Sequence, residues 1–228
     1  MHGAQPLQRA GLDLGWLMIS DTVITTWGIM LALGLLAGLA CRRLQEQPGS
    51  LQAALEGIVL VIEDAIRAVL PQYTRQVMPF IATLWLFLVV ANLVGLIPGM
   101  HSPTSDLSAT SGLAILVFLS VHWFGIRTQG VKSYLRHYLS PSPLMLPFHL
   151  ISEVSRTVAL AVRLFGNMMS LEMAALLVLL IAGFLAPIPI LMLHIVEALV
   201  QAYIFGMLAL IYVAGGIQSQ QLIENKKE

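Results

Sequence analysis

Nine polar or ionisable side chains gather in the last third of this chain, inside stretches that are otherwise apolar. His149, Glu153, Arg156, Arg163, Asn167 and Glu172 occupy one run, and His194, Glu197 and Gln201 the next. Glutamate and histidine take up and release protons near neutral pH. Arginine does not, because its guanidinium stays protonated. The run 157–171 has Arg163 as its only charge. In hydrocarbon that charge costs roughly 2.5–3.5 kcal/mol even on the mildest scale. Ionisable groups at such depth therefore face a bundle interior or a water cavity, and they mark ion pathways.

The spacing sorts these groups. At about 100° per residue, Arg156 and Arg163 fall about 20° apart on a helix and Asn167 about 40° from Arg163, so the three share a face. Glu172 lies about 180° from Arg163, on the opposite face. In the following run His194 and Gln201 are about 20° apart, with Glu197 about 60° from His194, which makes one polar stripe. This pattern suits two separated proton paths. A glutamate and a histidine on facing helices would line one aqueous half-channel. Arg163 blocks proton passage and attracts a carboxylate on another partner.

Plainer readings compete at each position. Arg163 is alternatively a structural ion-pair partner of Glu197. Arg156 snorkels towards water, and Glu153 is a solvated interfacial residue. His149 and His194 bond backbone carbonyls, the better reading for His149. Asn167 and Gln201 act as helix–helix glue, and Gly166 and Ser170 permit close packing.

The elements that must position these groups are membrane elements. The chain has 228 residues, 57% hydrophobic and 11% charged, with a mean hydropathy of +0.83. Soluble domains carry about 25% charged residues. The reading is an all-α polytopic membrane protein with about five membrane helices and no soluble catalytic domain. Twelve basic residues balance twelve acidic ones, which points to no nucleic-acid partner. The single cysteine, Cys41, allows no internal disulfide and is expected at a helix end near a membrane face. The sequence shows no cleavable signal peptide. It contains no GxxxxGKS or GxxxxGKT phosphate loop, HExxH, CxxC or GxSxG motif, so no metal and no cofactor is expected.

The chain reads as a single integral membrane domain, 1–228. The first span is expected at 16–41, two more at 78–98 and 107–126, and two long helices at 144–184 and 188–217. The segment 51–70 differs. Gln52, Glu56, Glu63 and Arg67 fall within about 60° of arc, with Ala54, Ile58, Val61 and Ala65 opposite, as in an interfacial amphipathic helix. The helix at 144–184 is about 60 Å long against a hydrocarbon layer of about 30 Å, so it is steeply tilted or broken. A proline-rich break is expected at 140–143 and a tight turn at 186–189. Arg42, Arg43, Arg67, Arg75, Arg127, Lys132, Arg136, Lys226 and Lys227 flank one side of the spans, whereas the loops 99–106 and 185–190 lack Lys and Arg. Basic loops stay cytoplasmic, which places the N-terminus outside and the C-terminus in the cytoplasm. Arg9 alone argues the other way.

The residues around Arg163 resemble subunit a of the F-type ATP synthase. The family pattern is a small residue, any residue, a small residue and an aliphatic, then Arg-Leu-x-small-Asn-aliphatic. Ala159-Leu160-Ala161-Val162-Arg163-Leu164-Phe165-Gly166-Asn167-Met168 matches it throughout. Ala91-Asn92-Leu93, Leu96-Ile97-Pro98, Pro103-Thr104-Ser105-Asp106-Leu107, and His194 seven residues before Gln201-Ala202-Tyr203-Ile204-Phe205 are also family-like. The resemblance covers about residues 75–218 well and the N-terminal part in outline.

The resemblance implies a non-catalytic subunit without an ATP site. It would be a stator lying in the bilayer against the c-subunit ring, beside peripheral-stalk b subunits, in a bacterial inner membrane. Arg163 would be the essential arginine between two offset half-channels. Glu172 and His194 match positions lining the outer one, and Asn167 and Gln201 match polar positions near the arginine. The chain departs from the pattern at His149, where an acidic residue is common, at Glu197, where many members are uncharged, and at Ser170, two residues before Glu172. The coupling ion, proton or sodium, is set mainly by the c ring. The alternative, a self-contained secondary transporter, is usually longer and built of repeats with broken helices, and no repeat is visible here.

Overall fold

Backbone in hydrocarbon must satisfy its own hydrogen bonds, and apolar runs do so as helices. The structure, a computed structural model, describes residues 12–13, 18–42, 49–97, 100–131, 146–182 and 188–218. Its helices are α1 (Asp21–Arg42), α2 (Ser50–Val69), α3 (Thr74–Val94), α4 (Leu107–Gln129), α5 (Leu146–Ala182) and α6 (Ile188–Gln218), with a 3-10 turn at Pro103–Ser105. All but α2 are long and apolar enough to cross a membrane. The expected break at 140–143, the first half of the expected turn at 186–189, and Arg9, Arg43, Lys132, Arg136, Lys226 and Lys227 lie outside the described residues, whereas Ile188 and Pro189 of that turn open α6 instead.

One departure from an all-helical chain is small. Leu12–Asp13 (β1) and Met18–Ile19 (β2) pair antiparallel, with Leu12 opposite Ile19. The first helix accordingly begins at Asp21 rather than near residue 16, since Met18 and Ile19 are engaged in that pair. Cys41 sits one residue from its end.

The core is built by α3 to α6, with α2 along its edge. Ile81, Leu84 and Leu88 of α3, Val117 and Val121 of α4, Leu160, Leu164 and Met168 of α5, and Phe205, Ala209 and Val213 of α6 are buried together. α6 approaches its neighbours closely at two glycines. A Cβ on Gly206 would stand 2.9 Å from the Trp85 ring, and one on Gly216 would stand 2.8 Å from Val121 Cγ1. In contrast, α1 buries only Ile29 among its described side chains. In α2 the buried side chains are Ile62 and Ile66, while Ile58 and Val61 stay exposed. The expected apolar face is thus split between a stripe that packs on the bundle and one that does not.

α5 is continuous over 37 residues. At 1.5 Å per residue it is about 55 Å long. A helix of that length exceeds a hydrocarbon layer of about 30 Å. Of the two expectations, tilt or break, the continuous helix removes the break. α3 and α5 run towards the 3-10 turn and α4 and α6 away from it, as contacts at Asn92, Glu172 and Tyr212 show.

Candidate functional site

α5 buries a ridge made of Leu160, Leu164, Met168 and Leu171, spaced as one helix face. Arg163 lies beside that ridge, turned out of the bundle and exposed. Among the described residues it makes no ion pair and no hydrogen bond. The plain reading of an Arg163–Glu197 ion pair is therefore not what the chain adopts; Glu197 is half-buried on α6. Around Arg163 the exposed surface is made of small and apolar residues: Ala159, Val162, Met169 and Ser170. Gly166 has open space where its Cβ would be.

One turn on, Asn167 Nδ2 donates to Gln201 Oε1 at 2.7 Å, which ties α5 to α6. Gln201 is 1% exposed, and its Nε2 finds no hydrogen-bond partner among the described residues. Arg156, two turns before Arg163, is exposed with its guanidinium 5.8 Å from the centre of the Tyr212 ring on α6.

At the end of the bundle nearest the 3-10 turn, a second polar group assembles. Glu172 Oε1 accepts from the Ser102 backbone N–H at 3.0 Å, and its Oε2 lies 3.7 Å from His101 Nδ1. A Cβ on Gly95 would lie 3.1 Å from Glu172 Oε1, so glycine there leaves room for the carboxylate. Ser102 Oγ donates to Ala91 O at 2.8 Å and stands 2.6 Å from Thr104 Oγ1, which in turn donates to Asn92 Oδ1 at 2.7 Å. Asn92 is fully buried, and its Nδ2 donates to Ala198 O on α6. Because a carbonyl only accepts, that bond fixes the amide so that Oδ1 faces Thr104. His194, 2% exposed, places Nε2 3.4 Å from Asn92 O.

Glu172 and His194 therefore share no hydrogen bond or ion pair with each other. They sit at two ends of one polar network that passes through Ser102, Thr104 and Asn92. Sequence reasoning missed these three as site residues. A lone amide in an apolar span was the available signal for Asn92. Thr104 falls in the family-like stretch Pro103–Leu107, though with no role read for it, and nothing in the pattern announced Ser102.

At the opposite end α4, α5 and α6 line an open-sided cavity of about 230 Å3. His122, His149, Glu153, Arg156 and Tyr212 line it, with Ser152 and Thr157. Glu153 is partly buried there, 3.5 Å from His122 Nε2, rather than solvated at an interface. His122 was also missed, although it is the one ionisable residue in the expected span 107–126.

Along α5, then, an unpaired guanidinium separates two polar groupings at opposite ends of the bundle. The family model for the ATP synthase A chain matches residues 23–214. The chain belongs to the subunit a family of F-type ATP synthases. It is 66% identical over 220 residues to ATP synthase subunit a 2 of Pelobacter propionicus, covering 96% of each chain. It is 65% identical over 207 residues to ATP synthase subunit a 1 of Hahella chejuensis, covering 91% of this chain and 88% of that one. With ATP synthase subunit a of Legionella pneumophila strain Philadelphia 1 the identity is 58% over 219 residues, covering 95% and 94%. As a subunit a, the chain is a membrane subunit of the F-type ATP synthase.

Proposed function

We propose that this subunit a is the ion-translocating stator of its synthase and presents two offset half-channels to the rotating c ring. Arg163 carries the reading. It is a permanent charge near the middle of a tilted apolar helix, and it faces outward with no hydrogen-bond or ion-pair partner among the described residues. Lipid cannot satisfy a guanidinium, whereas the ionised carboxylate of a ring subunit can. The small residues Ala159, Gly166 and Ser170 around it leave room for a helix to approach closely.

On this reading ions reach the ring from one side through the grouping of Glu172, Ser102, Thr104, Asn92 and His194. They leave to the other side through the cavity at His122, Glu153 and Arg156. Arg163 stands between the two, prevents a direct leak and releases the carboxylate only as the ring turns. Asn167 and Gln201 hold α5 and α6 together at that level. Peripheral-stalk b subunits hold the chain fixed. The chain lies in the bacterial plasma membrane with its C-terminus cytoplasmic, because Arg42, Arg67, Arg75 and Arg127 lie on the side away from the Lys- and Arg-free 99–106 loop.

Purification of the tagged chain in mild detergent tests this assembly. The account predicts that a c ring and b subunits come with it. Recovery of the chain alone, still able to transport ions in vesicles, would contradict it.

A further inference from the structure

We propose that His122 and Glu153 form a one-proton exchange site in the open-sided cavity lined by α4, α5 and α6. The proposal rests on the half-channel reading above and names the group that handles the proton on that side.

The geometry of His122 carries it. Its Nδ1 lies 2.9 Å from Phe118 O. A backbone carbonyl only accepts, so Nδ1 holds a hydrogen in either protonation state. Nε2 is then the ring nitrogen left to face Glu153, with Oε2 at 3.5 Å. A neutral imidazole would present a lone pair there to a carboxylate oxygen, acceptor against acceptor. One proton between them makes the contact attractive, either as imidazolium with carboxylate or as imidazole with carboxylic acid. The pair therefore takes up one proton from the cavity and gives one back, and no other atom changes hands.

The surroundings suit exchange with water. The Phe118 ring, with its centre 4.4 Å from that of His122, holds the imidazole in place. Both side chains keep partial access, 29% for His122 and 23% for Glu153. The cavity of about 230 Å3 has room for several water molecules. The other titratable or charged groups lining it are His149 and Arg156 on α5 and Tyr212 on α6. Arg156 cannot relay a proton. Glu153 lies ten residues before Arg163, about 15 Å along the helix. The site is thus a station between water and the arginine, on the side away from Glu172.

The test uses the whole synthase in membrane vesicles, with ATP-driven pumping and passive proton conduction through the membrane sector measured across neutral to alkaline pH. The variants are His122→Gln, His122→Ala, Glu153→Gln, the double His122→Gln/Glu153→Gln, and Arg163→Ala in parallel, each scored in complexes that retain the c ring. The expected result is a loss of conduction of roughly tenfold or more in each single variant, as removing a proton-transfer group does. The deficit should widen as pH rises and free protons grow scarce. The double variant should be no slower than either single, because the two act as a unit. Added imidazole should restore conduction in His122→Ala, which a merely structural role would not allow.

Wild-type rates and pH profile in both single variants would overturn the proposal. So would deficits in the double variant that multiply, or absence of proton conduction in the wild type with sodium carried instead. Each of these outcomes leaves the stator reading standing. Coupled pumping by Arg163→Ala would remove that reading whatever the pair does.

Discussion

Asn167 and Gln201 share a hydrogen bond of 2.7 Å between α5 and α6, one turn from Arg163. The bond is unequal in its dependence on the two residues. Asn167 supplies the donor from a half-buried position, whereas Gln201 is buried and leaves its Nε2 unsatisfied. Asn167→Leu strands the buried Oε1 and should cost about 1–3 kcal/mol. Adding Gln201→Met removes both buried polar atoms and should recover most of that loss. Thermal unfolding of the purified complexes checks the order. A double variant less stable than Asn167→Leu would show that the bond is not what holds the helices here.

Glu172 is anchored to the loop and not to His194. Cysteines placed at 172 and 102, in a Cys41→Ser background, should form a disulfide readily, because the Glu172 carboxylate already meets the Ser102 N–H. Cysteines at 172 and 194 should link poorly. Mass spectrometry of oxidised membranes reads both pairs, and the reverse ranking would contradict the observed network.

Gly95 makes space for that carboxylate. Gly95→Ala would place a Cβ 3.1 Å from Glu172 Oε1 and 3.2 Å from Ser102 Cβ, so the carboxylate and the loop must give by a few tenths of an ångström. ATP-driven pumping should fall moderately with Ala and more with Val. Equal and full activity in both would mean that the position of Glu172 is not critical to transport.

How much of this was legible in the sequence differs by residue. The helical class, the five apolar segments and the family match were readable because each is written in consecutive residues: hydrophobic runs, and the pattern around Arg163. The opposed directions of Arg163 and Glu172 were readable from the helical period alone, since α5 is unbroken. The start of α1 was misplaced because Met18 and Ile19 are apolar enough to extend a span, and only their pairing with Leu12–Asp13 excludes them. The partners of Glu172 and His194 were not readable. The network joins α3, the 102–104 turn, α5 and α6, which are up to 106 residues apart in sequence, as at Asn92 and Ala198. Helical periodicity orders side chains around one helix but does not say which loop folds over its end. The pairing of His122 with Glu153 was hidden for the same reason.

Packing sets a further expectation. Gly206→Ala drives a methyl group into the Trp85 ring, which lies 2.9 Å from the Cβ position. Overpacking of this kind typically costs about 1–3 kcal/mol. The melting temperature of the complex should drop, and Trp85→Phe added to Gly206→Ala should recover part of it. No change on Gly206→Ala alone would mean that α3 and α6 can separate freely.

The central claim is that Arg163 is the fixed charge between two ion paths, and the direct measurement is ATP-driven ion pumping by vesicles carrying Arg163→Ala. The account predicts that coupled pumping is abolished in assembled complexes. Arg163→Lys should rescue it poorly, because a lysine is a compact point charge that loses its proton when buried. Pumping at the wild-type rate by Arg163→Ala vesicles would contradict the account.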